Sequence, residues 1–573
     1  MEEIQMEKNL TKLANQQSAE AGRGVYLNII NEETKIPMEL QEQFLMQLIR
    51  DNENTEFGKK YKFADIHSIE EYREKVPVMV YDDFAPYLER MKDGEKNILT
   101  AYSFDHMNTT SGTVGTPKYV PMTDRQMQMF MKYNFLYING LKAELLSPEW
   151  MEGKIFCTSE GTCVKQDNGI TIGCASAKNA EVLKGGDSEQ AKMMQAIYTS
   201  PIEAMVPEPG TDTKYIHMRF ALMEENITGI TVGFYNMLAH LLQYTLDNHE
   251  LLINDIEKGT IDESVKMPDE VRKSLLEKIS PMPERAKQLR KAFENGVSEP
   301  FMKKIWPKMT YIFGAGADGL AIYANKIKEK YAGENIHHIY AGVTASEGLW
   351  SVPAGVDTPD SILAAGSTFM EFLPVEAGDD FSRCVLMDQV EEGKIYELII
   401  TNLNGFYRYR MSDAVKVTGY INKTPLIQFM YRVNKTVSVA LEKTTEVALD
   451  QTVERAAKEL GFYLSDYCVY PDTDSEPGKY IFLIEPDEKG IRADKETLRK
   501  CIYKHLCEAN PRYLYAVEHG QLAEPAVEIL QPETGILYRE MMIYKGANPS
   551  QLKPVHVIMN ERQKAFFFAL TEE

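Results

Sequence analysis

Along the first hundred residues apolar positions recur at helical intervals and are broken by polar turns, from LQEQFLMQLIRDN (40–52) through IEEYREKVPV (69–78). The pattern predicts a set of helices there. Between about 126 and 300 the reading stays mostly helical, with QMQMFMKYNFLYINGL and FYNMLAHLLQYTL as the most apolar stretches. Methionine and aromatic faces of this kind are first a burial signal. Short β-prone runs then alternate with turns and helices: MTYIFGAG, HHIYAG, YELIITN and FYRYRM. Helices interleaved with such strands predict a layered α/β body.

A second unit is expected from near residue 433. Leu449, Val453, Ala456 and Leu460 share one helical face, and Gly461 follows as a stop. Two strands, DYCVYPD and YIFLIEP, come next, joined by the turn DSEPGK. A helix over 494–509 should end before Asn510-Pro511, because the residue before proline disfavours helical angles. A β-α-β-β-α-β order of this size suits an independent small domain. The expected fold class is therefore α/β: a large layered domain over 1–431 and a smaller α+β domain over 432–573.

Composition narrows the function. The 573 residues carry a formal net charge of −22, and Lys and Arg are scattered, so a polyanionic nucleic acid is not an expected partner. No run approaches the ~20 apolar residues that cross a bilayer. The amino terminus is polar and acidic without a hydrophobic signal core. Seven cysteines without a CxxC pair fit small buried hydrophobes in a reducing compartment. A cytoplasmic monomer without a membrane partner is the expectation. His337-His338 lacks the companion spacing of a metal site.

Three segments carry candidate chemistry. Asn108-Thr-Thr-Ser-Gly-Thr-Val-Gly-Thr-Pro-Lys118 offers hydroxyls at Thr110, Ser111, Thr113 and Thr116, glycines at Gly112 and Gly115, and a terminal cation. Glycine lets an anion approach backbone N–H groups closely, and hydroxyls plus Lys118 add donors for phosphate oxygens. Taken alone, the segment also reads as a surface turn. Tyr340-Ala-Gly-Val-Thr344-Ala-Ser346-Glu347-Gly348 follows a predicted strand, where open α/β sheets bind ligands. Glu347 could give Mg²⁺ a hard oxygen, or be an exposed turn residue. In Phe406-Tyr-Arg-Tyr-Arg-Met-Ser-Asp413 an alternating strand puts Tyr407 and Tyr409 on one face and Arg408 and Arg410 on the other. Asp413 beyond it could accept hydrogen bonds from both hydroxyls of a ribose. A cross-strand aromatic and arginine ladder is the alternative.

The order of these segments resembles a known family. TSGTVGTPK looks like the phosphate loop of the ANL adenylating superfamily, which comprises acyl-CoA synthetases, peptide-synthetase adenylation domains and luciferases. LQEQFLMQLIRDNENTEFGKKYKF, VPVMVYDDFAPYLERMKDGEKNILT, KYVPMT, YAGVTASEG, FMEFLP, YELIITNLNGFYRYRMSD and LEKTTE resemble the auxin-responsive family of acyl-acid amido synthetases, from about residue 38 to the end.

The resemblance implies an ATP-dependent, AMP-forming ligase. It adenylates a small carboxylic acid and transfers the acyl group to an amino acid, with ATP and Mg²⁺ as cofactors. It implies that Thr110, Ser111, Gly112, Thr113 and Lys118 form the triphosphate loop. The segment with Thr344 and Ser346 would wall the adenine, Glu347 would lie near Mg²⁺, and Asp413 would hold the ribose. Arg432 and Lys443 fall where the family brings basic groups to the nucleotide. Gln551-Leu-Lys553-Pro resembles the family's QxKxPR segment, which makes Lys553 the candidate catalytic lysine and Lys443 its rival. The helices around 126–141 and 231–246 are expected acyl-pocket walls. Three positions depart: Val114 replaces a threonine, Ser412 replaces the glycine before Asp413, and Val555-His556 follows Lys553-Pro554 where an arginine is usual. An acyl-CoA ligase using the same adenylate, or a nucleotide-binding module without turnover, are the alternatives.

Overall fold

A computed structural model describes residues 2–109, 118–174, 189–294, 300–317, 320–433, 437, 439, 442, 444–475, 477–547, 549 and 552–572. Its contacts gather into two units. The larger holds most of Met1–Met411 with Val415–Gln428, and the smaller holds Ser412–Ala414 with most of Phe429–Glu573.

The larger unit opens with helices, as its apolar spacing predicts: Glu2–Asn31, Pro37–Asp51, Glu56–Lys60, Ile69–Lys75 and Tyr81–Lys92. The first packs on helix Tyr137–Leu145 at a close crossing. A Cβ on Gly22 would lie 2.4 Å from the Leu136 carbonyl oxygen, and one on Gly140 would lie 2.3 Å from that of Gly22. Only glycine pairs permit this approach.

Four parallel strands, Lys154–Cys157, Ile227–Phe234, Tyr311–Ala315 and His337–Tyr340, form one sheet in that order. A second sheet runs Tyr119–Thr123, Phe104–Thr109, Thr171–Gly173, Cys163–Lys165. The third has six strands in the order Ser351–Pro353, Ser361–Leu363, Thr424–Arg432, Tyr409–Ile421, Ile395–Thr401, Phe369–Pro374. Its core includes Phe369, Phe372, Leu398, Ile400 and Val415, against Leu45, Tyr72 and Phe84 from the amino-terminal helices.

Two readings of this unit meet a different outcome. The stretch 126–300 is mostly helical, as read, but it also holds strands Lys154–Cys157, Cys163–Lys165, Thr171–Gly173 and Ile227–Phe234, which the reading did not separate. Lys154–Cys157 and Ile227–Phe234 are largely buried strands, apolar runs that periodicity cannot tell from buried helix, and the other two are only three residues long. The alternation read through 406–413 fails as well. The strand starts at Tyr409, and Arg408 has φ +45. Both arginines are ion-paired within the sheet: Arg408 grips Glu371 through Nε and Nη2 at 2.7 and 2.9 Å, and Arg410 grips Glu397 at 2.7 and 2.9 Å.

The smaller unit has helix Glu446–Leu460, strands Leu464–Asp472 and Lys479–Pro486, helices Lys495–Ala509 and Pro511–Glu518, and strand Ala526–Ile529. The caps explain the boundaries. Thr445 and Asp494 accept from backbone N–H groups at the helix starts, and Gly461 closes the first helix at φ +69. The first strand of the expected β-α-β-β-α-β order is replaced, among the described residues, by a single bridge between Val437 and Thr444. No disulfide joins any of the seven cysteines. Among the described residues no helix is long and apolar enough to cross a membrane.

Candidate active site

Thr110, Ser111, Gly112 and Thr113 lie outside the described residues, as does Lys443. The flanks of the glycine-rich loop are described. It connects strands Phe104–Thr109 and Tyr119–Thr123, which pair antiparallel with Thr109 opposite Tyr119. Tyr81, the first residue of helix Tyr81–Lys92, fixes the loop's exit. Its hydroxyl accepts from the Tyr119 N–H at 2.7 Å and donates to the Tyr119 carbonyl at 3.3 Å. Its ring carries the Lys118 ammonium at 4.7 Å from the centroid, a cation–π contact. Burial, then the fields of Glu89 and Glu347, push the Tyr81 phenol up to about 12. The hydroxyl therefore stays protonated at neutral pH.

Glu347 sits at the tip of a tight hairpin, Thr344–Ala345 paired with Gly348–Leu349, just beyond strand His337–Tyr340. Three asparagines hold that tip. Asn402 and Asn404 donate to the Glu347 carbonyl at 2.8 and 3.0 Å, and Asn108 donates to the Ser346 carbonyl at 3.0 Å. Asn404 in turn accepts from the Thr123 N–H at 3.1 Å. The strand entering the glycine-rich loop, the strand leaving it and the Glu347 hairpin are thus one hydrogen-bonded assembly. Thr344 is exposed, Ser346 is half-buried and Glu347 is buried.

Around the hairpin, buried amides stand unused. Among the described residues, the Asn108 Oδ1 and both amide atoms of Gln126 have no hydrogen-bond partner. Gln126 lies close enough that its amide nitrogen would be 3.6 Å from a Cβ on Gly348. Such orphaned buried groups are rare and call for an explanation, a bound ligand being one. Asn108 Oδ1 and the Glu347 carboxylate are hard oxygens of the kind Mg²⁺ takes. Beyond Tyr340, the Tyr235 ring is tilted against the Tyr340 ring with centroids 5.7 Å apart.

In the smaller unit Asp413 is buried, and its Oδ1 accepts from Arg432 Nε at 2.8 Å. Ser412 precedes it at φ +63, held there by the Val433 N–H donating to the Ser412 carbonyl at 2.7 Å. Lys553 is exposed on a segment anchored three residues later by His556. That imidazole is buried and stacked on Tyr467, with centroids 4.5 Å and planes 19° apart. Its Nδ1 lies 3.2 Å from Glu446 and 3.5 Å from Asp450, and its Nε2 lies 3.6 Å from Asp466. Burial alone would lower its pKa, but Asp466, Glu446 and Asp450 raise it well above the ordinary histidine value. A cation is therefore fixed just beyond Lys553-Pro554.

The structure sets Lys118 over the Tyr81 ring and pairs Asp413 with Arg432. Sequence reasoning missed Tyr81, Gln126, Asn402 and Asn404. The amide-rich turn Asn402-Leu-Asn404-Gly405 was a signal for the last two. Nothing local marked Tyr81, whose partner is 38 residues away.

Residues 26–336 match the GH3 family N-terminal domain, 361–432 the GH3 family central domain and 447–563 the GH3 family C-terminal domain. Indole-3-acetic acid-amido synthetase GH3.4 of Arabidopsis thaliana is 27% identical over 559 residues, 92% of this chain and 90% of the relative. Jasmonoyl–L-amino acid synthetase GH3.5 of Oryza sativa subsp. japonica is 26% identical, covering 87% of each. Among solved structures, GH3.15 acyl acid amido synthetase superposes with a TM-score of 0.82 at 20% identity, covering 96% of each chain. A 2-hydroxyisobutyryl-CoA ligase in the postadenylation state with 2-HIB-AMP superposes at 0.55 and 12% identity, covering 93% of each. The fold is that of the adenylate-forming enzymes.

Proposed function

The chain belongs to the GH3 family, and from that premise we propose that it is an ATP-dependent ligase joining a small carboxylic acid to an amino acid through an acyl adenylate. Relatives named as amido synthetases for indole-3-acetic acid and for jasmonate support the reaction class. The observation that carries it is the Asn108–Ser346 hydrogen bond. It ties the entry of the glycine-rich loop to the Glu347 hairpin across 238 residues of sequence.

A carboxylate is a poor acyl donor because its leaving group would be oxide. In the first half-reaction one carboxylate oxygen attacks the α-phosphorus of ATP, the bond to the bridging oxygen breaks, and pyrophosphate leaves. In the second, a neutral amine attacks the acyl carbon, AMP leaves with the oxygen, and the ammonium proton passes to solvent. Two anions must meet in the first step, so fixed cations aimed at the developing charge are needed. Lys118 and the loop residues Thr110, Ser111, Gly112 and Thr113 bind the triphosphate, while Thr344 and Ser346 contribute to the adenine wall. Asp413 accepts from the ribose hydroxyls and Arg432 orients that carboxylate. Glu347, with Asn108 beside it, would hold Mg²⁺, which offsets charge on the phosphate oxygens.

The small domain, residues 432–573, carries Lys553 and rotates between the two half-reactions. Lys553 offsets charge while pyrophosphate leaves, on a segment kept in register by charged His556. Lys443 is the rival for that role. The test is a pyrophosphate-release screen of carboxylic acids crossed with amino acids. Release that depends on the acid supports the proposal, and an ATP-binding chain without release under any pairing contradicts it.

A further inference from the structure

In the smaller unit, helix Glu446–Leu460 packs beside helix Lys495–Ala509. Cys501 and His505 are four residues apart on the second helix and share one face. Glu459, in the last turn of the first helix, meets them there. The Cys501 sulfur, a His505 ring nitrogen and a Glu459 carboxylate oxygen all lie within 4.8 Å of one another. None of these residues belongs to the segments assigned above.

The hydrogen bonds around His505 define what the cluster accepts. Its Nδ1 lies 3.1 Å from Glu508 Oε2, and its Nε2 lies 2.9 Å from Glu459 Oε2. With the Nδ1–H donated to Glu508, the Nε2 lone pair faces a carboxylate oxygen. A proton satisfies both in the metal-free protein, where the Cys501 thiol hydrogen-bonds the same carboxylate. A metal ion taking the place of these protons would find sulfur, imidazole nitrogen and carboxylate oxygen already gathered at one point. Thiolate, imidazole and carboxylate are the donor set of zinc, with water as fourth ligand. A carboxylate on the distal ring nitrogen, as Glu508 is here, orients a metal-bound histidine. On a tetrahedral ion the donors are about 3.5 Å apart, so the His505–Glu459 pair, at 2.9 Å, must open slightly, while no donor pair exceeds 4.8 Å. Lys504 holds the same Glu459 oxygen at 2.8 Å, which keeps the carboxylate on this face.

We propose that Cys501, His505 and Glu459 bind a Zn²⁺ ion that clamps helix Glu446–Leu460 to helix Lys495–Ala509. On binding, the thiol proton leaves to solvent and the sulfur takes a bond to the metal. The site is structural: it fixes the small unit's two long helices and is read independently of ligase activity.

The test uses the full chain, stripped with a chelator and titrated with Co²⁺ under an optical spectrometer, then with Zn²⁺ in a calorimeter. A thiolate-to-cobalt charge-transfer band with tetrahedral visible bands is expected, at one ion per chain. Zn²⁺ should raise the unfolding temperature. Cys501→Ser should abolish the charge-transfer band, and Glu459→Gln should weaken Zn²⁺ binding by about tenfold or more. Glu459 is exposed at the surface, so its variant keeps the test open if Cys501→Ser misfolds. Cobalt spectra without a thiolate band, or Zn²⁺ affinity unchanged in Glu459→Gln, overturn the proposal.

Discussion

Arg432 donates from Nε to Oδ1 of Asp413 at 2.8 Å, with the arginine side chain 46% exposed and the aspartate 6%. The pair is a buried acceptor oriented by a cation at its solvent edge. A carboxylate offers about four lone-pair positions, so Asp413 can keep Arg432 and still accept from a ribose. Asp413→Ala should weaken ATP binding by on the order of 1.5–3 kcal/mol, the range for hydrogen bonds to a charged group. Calorimetry on the folded variant measures it, and unchanged affinity removes the ribose role.

Ser412 holds the left-handed backbone that glycine adopts without strain, at φ +63. That conformation costs an L-residue roughly 1–2 kcal/mol. Glycine also gains freedom in the unfolded chain, which offsets about 0.4–1 kcal/mol. Ser412→Gly should therefore stabilise the protein by up to about 1 kcal/mol. A denaturant melt reads it, and a lower midpoint would mean that the serine side chain contributes more than the strain costs.

Much of the small unit was legible because its signals are local. The Gly461 stop and the Asn510-Pro511 break each act within a turn of the residue that carries them, as do the Thr445 and Asp494 caps that only the structure revealed. The parallel strand Ile227–Phe234 was not, since an apolar run buried on both faces has no period to read. Arg408 broke an apparent alternation through one backbone angle that composition does not reveal. In the candidate site, the glycine-rich loop, Glu347 and Asp413 stood out as residue types. Tyr81 and the Asn402–Asn404 pair act through contacts with distant segments, and only folding brings those together.

Lys553 should affect one half-reaction. If its charge is used only while pyrophosphate leaves, Lys553→Ala should slow amide formation from ATP and acid by ~10²-fold or more. Synthetic acyl adenylate should largely bypass the defect, and ATP affinity should change little. Equal losses on both routes remove a step-specific role, and full activity from ATP transfers it to Lys443.

The acidic nest around His556 predicts a pH dependence of stability. Burial, only partly offset by His556 and Tyr467, raises Asp450 from 3.8 to about 7, while its carboxylate neighbours raise His556 well above the ordinary value. Both folded values lie above the unfolded ones. Each contribution is therefore complete below the unfolded pKa and is lost as pH climbs through the folded one. The small unit's unfolding temperature should fall from about pH 4 to pH 7 through Asp450 and keep falling above about pH 6.5 through His556, with the first part flattened in Asp450→Asn. A rise across that window contradicts the assignment.

The central claim is that a carboxylic acid is activated as its adenylate and released as an amide, and an oxygen label tests it most directly. A substrate acid carrying ¹⁸O in both carboxylate positions is incubated with ATP, Mg²⁺, an amino acid and the enzyme, and the products are weighed by mass spectrometry. The account predicts one ¹⁸O in AMP, one retained in an acyl–amino acid amide, and none in pyrophosphate. Label appearing in inorganic phosphate alongside ADP, or a thioester formed only when CoA is supplied, would contradict it.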